Sequence, residues 1–147
     1  MSDRLDLDLR ADLSELARLA EAVEAFAERN NLPPDVAFKL NLCLDELFTN
    51  TVSYGYADAA DAANRRIAVR LGCDGAAIQA EIEDDAAPFD PFATPPAPDL
   101  TNDIDARPVG GLGVFLVTQT MDHARYRRDG DRNHVLLTKR LAPKAPA

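Results

Sequence analysis

Ile67, Val69, Leu71 and Cys73 alternate along the chain, and Ile78, Ala80 and Ile82 do so again after a short gap. A period of two puts every such side chain on one face of an extended strand, so that face must be buried and the other can meet water. Asp74-Gly75 lies between the runs, and Asp-Gly readily takes the left-handed backbone of a tight hairpin turn. A hairpin with one apolar face is not stable alone. It needs further strands and a covering layer of helices.

The rest of the chain supplies both. Leu5, Leu7 and Leu9 alternate with charged residues, which predicts a half-buried strand. Asp12, with Glu15 three residues on, reads as a capping box opening a helix. Leu13, Leu16, Leu19, Val23 and Phe26 keep the helical period to about Asn30. Pro33-Pro34 opens a second helix, whose stripe is Val36, Leu40, Cys43, Leu44 and Leu47 and which ends near Gly55. Residues 57–64 read as a surface loop. Residues 86–109 hold six prolines and little periodicity, a length and composition typical of functional lids. A third helix is predicted over Leu112–Met121, then strands Ala124–Arg128 and Val135–Leu141 joined near Asp129-Gly130. The order β-α-α-β-β-lid-α-β-β predicts an α/β (α+β) fold. It is a two-layer sandwich with a mixed, mostly antiparallel sheet and three helices on one face. Residues 1–141 are expected to form a single domain, and 142–147 a disordered tail.

Charge narrows the function. The formal net charge is -9, which argues against a nucleic-acid binder. An anionic ligand would have to be held by local donors and a metal against the global field. Cys43 and Cys73 sit in apolar runs and read as reduced core thiols. No apolar run approaches the roughly 18 residues of a membrane span, and the first residues lack the apolar stretch of a signal peptide. A cytoplasmic location, with no membrane partner, is the expectation.

Three segments carry candidate chemistry. Glu46 and Asn50 stand four apart on one helical face, bordering the apolar stripe. An amide oxygen there suits a hard cation such as Mg²⁺, and a carboxylate can take a proton from a hydroxyl or water. A solvated glutamate with a helix-tolerated asparagine satisfies the same spacing. Asp84 continues the buried face of Ile78, Ala80 and Ile82. A buried acid needs a donor, and the exocyclic amine of a purine is one; capping of the following turn is the other reading. Pro88-Phe89-Asp90-Pro91 then leads into the Pro-rich stretch, with Phe89 as an apolar wall. Gly110-Gly111-Leu112-Gly113 opens the third helix, where bare N–H groups and the positive dipole end favour phosphate. No lysine and Ser/Thr follow these glycines, so this is not a P-loop.

Together Glu46-x-x-x-Asn50, Asp84-x-Ala86-x-Pro88-Phe89-Asp90-Pro91 and Gly110-Gly111-x-Gly113 resemble the N, G1 and G2 boxes of the GHKL ATPases, the superfamily of gyrase, histidine kinases and mismatch-repair ATPases. The small size, the Pro-Phe-Asp-Pro run and Gly-Gly-Leu-Gly-x-Phe-Leu-Val look most like the anti-sigma-factor serine/threonine kinases. The resemblance spans residues 10–141. It implies the Bergerat-type ATP-binding fold, with ATP and Mg²⁺. Glu46 would be the general base, Asn50 the Mg²⁺ ligand and Asp84 the acceptor for the adenine amine. Gly110, Gly111, Leu112 and Gly113 would form the phosphate loop. Thr138 would match the late-strand threonine that holds the purine through Asp84 and water, residues 92–109 the lid, and Arg107 a phosphate contact. One departure is Ala86, where the family usually has glycine; alanine resists positive φ.

The resemblance further implies partners: an anti-sigma-factor antagonist protein, phosphorylated on serine or threonine, a sigma factor that is sequestered, and a second copy in a homodimer. Two other readings remain. The fold could serve as a catalytically weak or inactive binding module, a reading Ala86 favours, or as a detached histidine-kinase-type ATPase domain. His123 and His134 look isolated, which argues against a zinc site. Arg125, Arg127, Arg128 and Arg132 read as a solvated strand face.

Overall fold

The computed structural model describes residues 3–57, 59–61, 64–93 and 111–141, with 111 and 112 described by backbone only. Five strands form one sheet: β1 (Asp3–Arg10), β2 (Arg66–Cys73), β3 (Ala77–Asp84), β4 (His123–Asp129) and β5 (Arg132–Arg140). Their order is β1-β2-β3-β5-β4, and all four pairings are antiparallel. Three α-helices, α1 (Leu16–Arg29), α2 (Pro34–Asn50) and α3 (Gly111–Thr120), complete an α+β fold of the expected kind.

Both predicted Asp-Gly turns form. Gly75 has φ +90 and Gly130 φ +59, and Asp74 Oδ1 accepts from the N–H groups of Ala76 and Ala77, each at 2.9 Å. The capping box takes another form. Asp12 accepts from Ser14 N at 3.0 Å and caps a short 3-10 turn, Leu13–Glu15. Glu15 reaches back to Arg10 N at 3.0 Å instead of closing on Asp12. Helix α1 ends in a left-handed cap at Asn31 (φ 53). Leu32 N donates to Ala27 O at 2.9 Å and Asn31 N to Glu28 O at 3.2 Å, a doubly bonded C-terminal cap. Pro34 then begins α2, where its missing N–H costs nothing.

Leu9, Phe26, Leu44, Phe48 and Ile67 are fully buried between helices and sheet, each worth roughly 1.5–3 kcal/mol. The strand registers stack the buried face in rows. One row is Val69, Ile82, Val135 and Tyr126; the next is Ile67, Asp84, Asn133 and Arg128. The sheet interior thus turns polar at one end, and the candidate site stands there.

Candidate functional site

Helix α2 delivers Glu46 and Asn50 to the same face. Asn50 Nδ2 donates to Glu46 Oε1 at 3.3 Å. Asn50 is 5% exposed, and its Oδ1 has no partner among the described residues. An orphaned buried amide oxygen matches the donor a hard cation takes. Burial, above all, raises the pKa of half-buried Glu46; Asn50 opposes the rise and Asp45 adds to it. A carboxylate held closer to neutrality is a better proton acceptor than an ordinary glutamate.

Gly113 brings α3 to this pair. A Cβ placed there would overlap the Glu46 carboxyl group. The glutamate therefore fills the space that any other residue would occupy, beside the N-terminal turn of a helix whose first N–H groups favour an anion.

Asp84 ends β3 and is 4% exposed. Both bonds it receives go to Oδ1: Ala86 N at 3.0 Å and Asn133 Nδ2 at 2.9 Å. Oδ2 has no partner among the described residues. Burial is the main cause raising the pKa of Asp84. Asn133 and the Ala86 N–H oppose it, Asp85 adds to it, and Arg128 opposes it from β4. A buried carboxylate with one open oxygen is a reader of N–H donors.

A ladder of contacts joins the two ends. After Asn50 the chain makes one π-type turn, Thr51–Gly55, closed by Tyr56 N donating to Thr51 O at 3.1 Å. The rings of Tyr54 and Phe89 stack with centroids 6.1 Å apart. A Cβ on Gly55 would lie 3.1 Å from that of Ala86. Tyr56 Oη donates to Asp85 Oδ1 at 2.7 Å and accepts from Asp85 N at 3.2 Å. Residues 54, 55 and 56 thus meet 89, 86 and 85 in reverse order. The segment after Asn50 is fastened to the segment after the buried acid. Burial and the bond to Asp85 raise the pKa of Tyr56, keeping it a phenol. Burial works against charge on Asp85, yet Tyr56 and the Arg65 guanidinium, 2.9 Å from Oδ2, outweigh it and hold its pKa low.

Phe89 is half-buried on the Tyr54 ring. Ala86 needs no left-handed backbone, because Asn31 has the one positive φ among the described non-glycine residues. The sequence departure at Ala86 is therefore absorbed without strain. Thr138 is a correction. It pairs with Gln79 and His123, five residues from Asn133, about 16 Å along the strand. It also lies on the helix-free face, so it stands away from Asp84. Asn133 takes the place opposite Asp84. Gly111 begins α3 as backbone; Arg107, Gly110, the Leu112 side chain and the lid from residue 94 onward lie outside the described residues, as does the 142–147 tail.

Sequence reasoning also missed Arg128, read as a solvated arginine. Its Nη1 donates to Ala86 O at 2.9 Å and to Asn133 Oδ1 at 3.1 Å. His134 is not isolated either: its Nδ1 lies 3.0 Å from Glu81 Oε1 and 3.4 Å from Glu83 Oε1. Arg70 bridges both carboxylates at 3.0 and 2.9 Å and Arg132 pairs with Glu83 at 3.2 Å, so two guanidinium groups already face the two carboxylates. Two cavities lie away from the site. One, of about 350 Å³, is over the open sheet face near Arg70, and one, of about 680 Å³, is between α1 and α2 near Phe38.

Residues 9–139 match the histidine kinase-like ATPase domain family, and the chain belongs to it. Membership implies an ATP-binding domain. No curated protein matches the sequence. Among solved structures, the fold is similar to that of the RsbU and RsbW domains of Rv1364c from Mycobacterium tuberculosis, with TM-score 0.61 and 17% identity over 94% of this chain. The chain spans about a third of that solved chain, covering 32% of it. No helix among the described residues is long and apolar enough to cross a membrane.

Proposed function

We propose that this protein is an ATP- and Mg²⁺-dependent serine/threonine protein kinase. Its substrate would be a small antagonist of an anti-sigma factor, and it would hold a sigma factor when that antagonist is phosphorylated. The observation that carries the reading is the convergence of Glu46, Asn50 and Gly113. That cluster is tied by the 54–56 to 85–89 ladder to a buried acid with a free oxygen. The RsbW domain named in the structural neighbour, together with the three sequence boxes, supports the choice of partner class.

Asp84 Oδ2 would accept the adenine amine. The first N–H groups of α3 face the polyphosphate. Asn50 Oδ1 would hold Mg²⁺, which when bound neutralises charge on the phosphates. Glu46 accepts the proton of the attacking serine or threonine hydroxyl as that oxygen bonds to the γ-phosphorus and ADP leaves with the β–γ bridging oxygen. The added phosphate then places about two negative charges at the partner interface and weakens it.

The test is transfer of labelled γ-phosphate from ATP to a candidate antagonist, with Glu46→Gln as control. Label on serine or threonine that falls about 10²–10⁴-fold in the variant is expected. Stable complex formation without label in the parent overturns the kinase reading and leaves a binding module.

A further inference from the structure

Asn133 is 3% exposed and meets six groups. Its Nδ2 faces only acceptors: Asp84 Oδ1 at 2.9 Å, Ala87 O at 3.0 Å and Ala86 O at 3.3 Å. Its Oδ1 faces only donors: Tyr126 Oη at 2.6 Å, Arg128 Nη1 at 3.1 Å and Phe89 N at 3.4 Å. A flipped amide would set N–H against the Arg128 guanidinium and the Phe89 N–H, which cannot accept, and C=O against three acceptors; only the Tyr126 hydroxyl could adapt, so one orientation is fixed. A fixed donor at Nδ2, with a second at Ala86 N, obliges the Oδ1 position of residue 84 to be an acceptor.

We propose that Asn133 is the positioning residue that sets base specificity in this site: it locks residue 84 by one oxygen, so that the other arm of that side chain alone reads the base. The inference rests on the nucleotide reading above. With aspartate at 84 the reading arm is an acceptor and selects a base with an amine, as adenine has. With asparagine at 84 the oxygen is still required at the locked position. The NH₂ must then take the reading arm and select a carbonyl at the same place on the ring, as hypoxanthine has. The opposite arrangement would set an NH₂ group against Asn133 Nδ2, 2.9 Å from the locked position, and leave Ala86 N without its acceptor. Tyr126 and Arg128 from β4 hold Asn133 in turn. The ionisable groups facing Asp84 are Asp85 and Tyr56 from the ladder and Arg128 from β4.

Two measurements test it. The first is calorimetric binding of ADP and IDP to the parent, to Asp84→Asn, and to Asp84→Asn with Asn133→Val. The parent should prefer ADP by about tenfold or more, D84N should reverse the order, and the double variant should lose preference. D84N is isosteric, so its result does not depend on the Asn133 variant folding. ADP and IDP weakened equally in D84N overturns the lock. The second is the carboxyl-carbon NMR titration of Asp84 in the ligand-free protein. Replacing Asn133 by valine removes a donor to the ionised form and should move the midpoint up by about one pH unit. An unmoved midpoint overturns the proposal by itself. A parent that binds neither nucleotide defeats the ATP reading, while the titration still decides the role of Asn133.

Discussion

Gly113→Ala separates folding from chemistry in this site. A methyl group at 113 would collide with the Glu46 carboxyl group, the movable end of a half-buried side chain, so the glutamate should swing away. Leaving costs the 3.3 Å bond from Asn50, worth about 1 kcal/mol. Against this, glycine to alanine inside a helix gains roughly 0.5–1 kcal/mol. The two nearly cancel, so G113A should keep the parent stability to within about 1 kcal/mol in urea unfolding. In a Glu46→Ala background there is nothing to displace, and the same change should stabilise by roughly 0.5–1 kcal/mol. The coupling from this double-mutant cycle is therefore about 1 kcal/mol, or about 2–4 °C in Tm for a chain of this size. Phosphoryl transfer should fall by about 10²–10⁴ in G113A, because the base has left its place. An identical stability change with and without Glu46 would refute the contact. Full transfer activity in G113A would refute the role of Glu46 at that position.

Tyr56→Phe removes both bonds between the phenol and Asp85, one of them to a charged acceptor. Urea unfolding should show a loss of about 2 kcal/mol, and a loss below about 0.5 kcal/mol would mean the ladder is not holding. Gly55→Ala puts a Cβ 3.1 Å from that of Ala86. It should destabilise by about 1 kcal/mol, with Ala86→Gly in the same chain restoring most of the loss. Burial raises the pKa of Asp84, and its open oxygen must be unprotonated to accept. ADP affinity should therefore fall on acidification, starting above the ordinary aspartate range; a flat calorimetric profile counts against Asp84 as the reader. The sign for the empty fold is opposite. A raised folded pKa gives stability below the unfolded value that is lost as pH rises through the folded one, so D84N should be more stable than the parent at neutral pH when no nucleotide is present.

The strands and helices were legible because their signals are local. Alternation at 67–73 and 78–82, Asp-Gly at both hairpins and Pro33-Pro34 before α2 each act within a few residues. Glu46 with Asn50, and Asp84 on the buried face, were legible for the same reason: helical and strand periods fix faces. What sequence spacing could not supply was register. Asn133 becomes visible only when Asp84 is known to stand opposite it, 49 residues away. The one hint is that Asn133 shares the strand period of Val135 and Leu137 and is thus a polar residue on a buried face. Thr138 fits by residue type alone and lies on the other face of the sheet, which only the register reveals. Arg128 and His134 were misread alike, since their partners come from other strands. The π-type turn that aims Tyr54, Gly55 and Tyr56 at residues 85–89 has no short sequence signature.

Ala86 shows what a glycine preference in such a turn can mean. One account is conformational: the turn after the acid needs positive φ, which only glycine gives cheaply. Here the turn is built without it. Asp84 Oδ1 takes Ala86 N, and the carbonyl of Ala86 takes Arg128 and Asn133. The remaining account is volume. Two segments pass closely at this point, and a second methyl group between them would need them to shift by a few tenths of an ångström. Alanine occupies position 86 and glycine position 55, with an added Cβ only 3.1 Å away. The constraint therefore belongs to the pair, and a small residue on either segment satisfies it. A chain that departs from the expected glycine can keep the same turn when the room is found across the gap, and the residue that supplies it lies directly in the turn that follows Asn50 of α2.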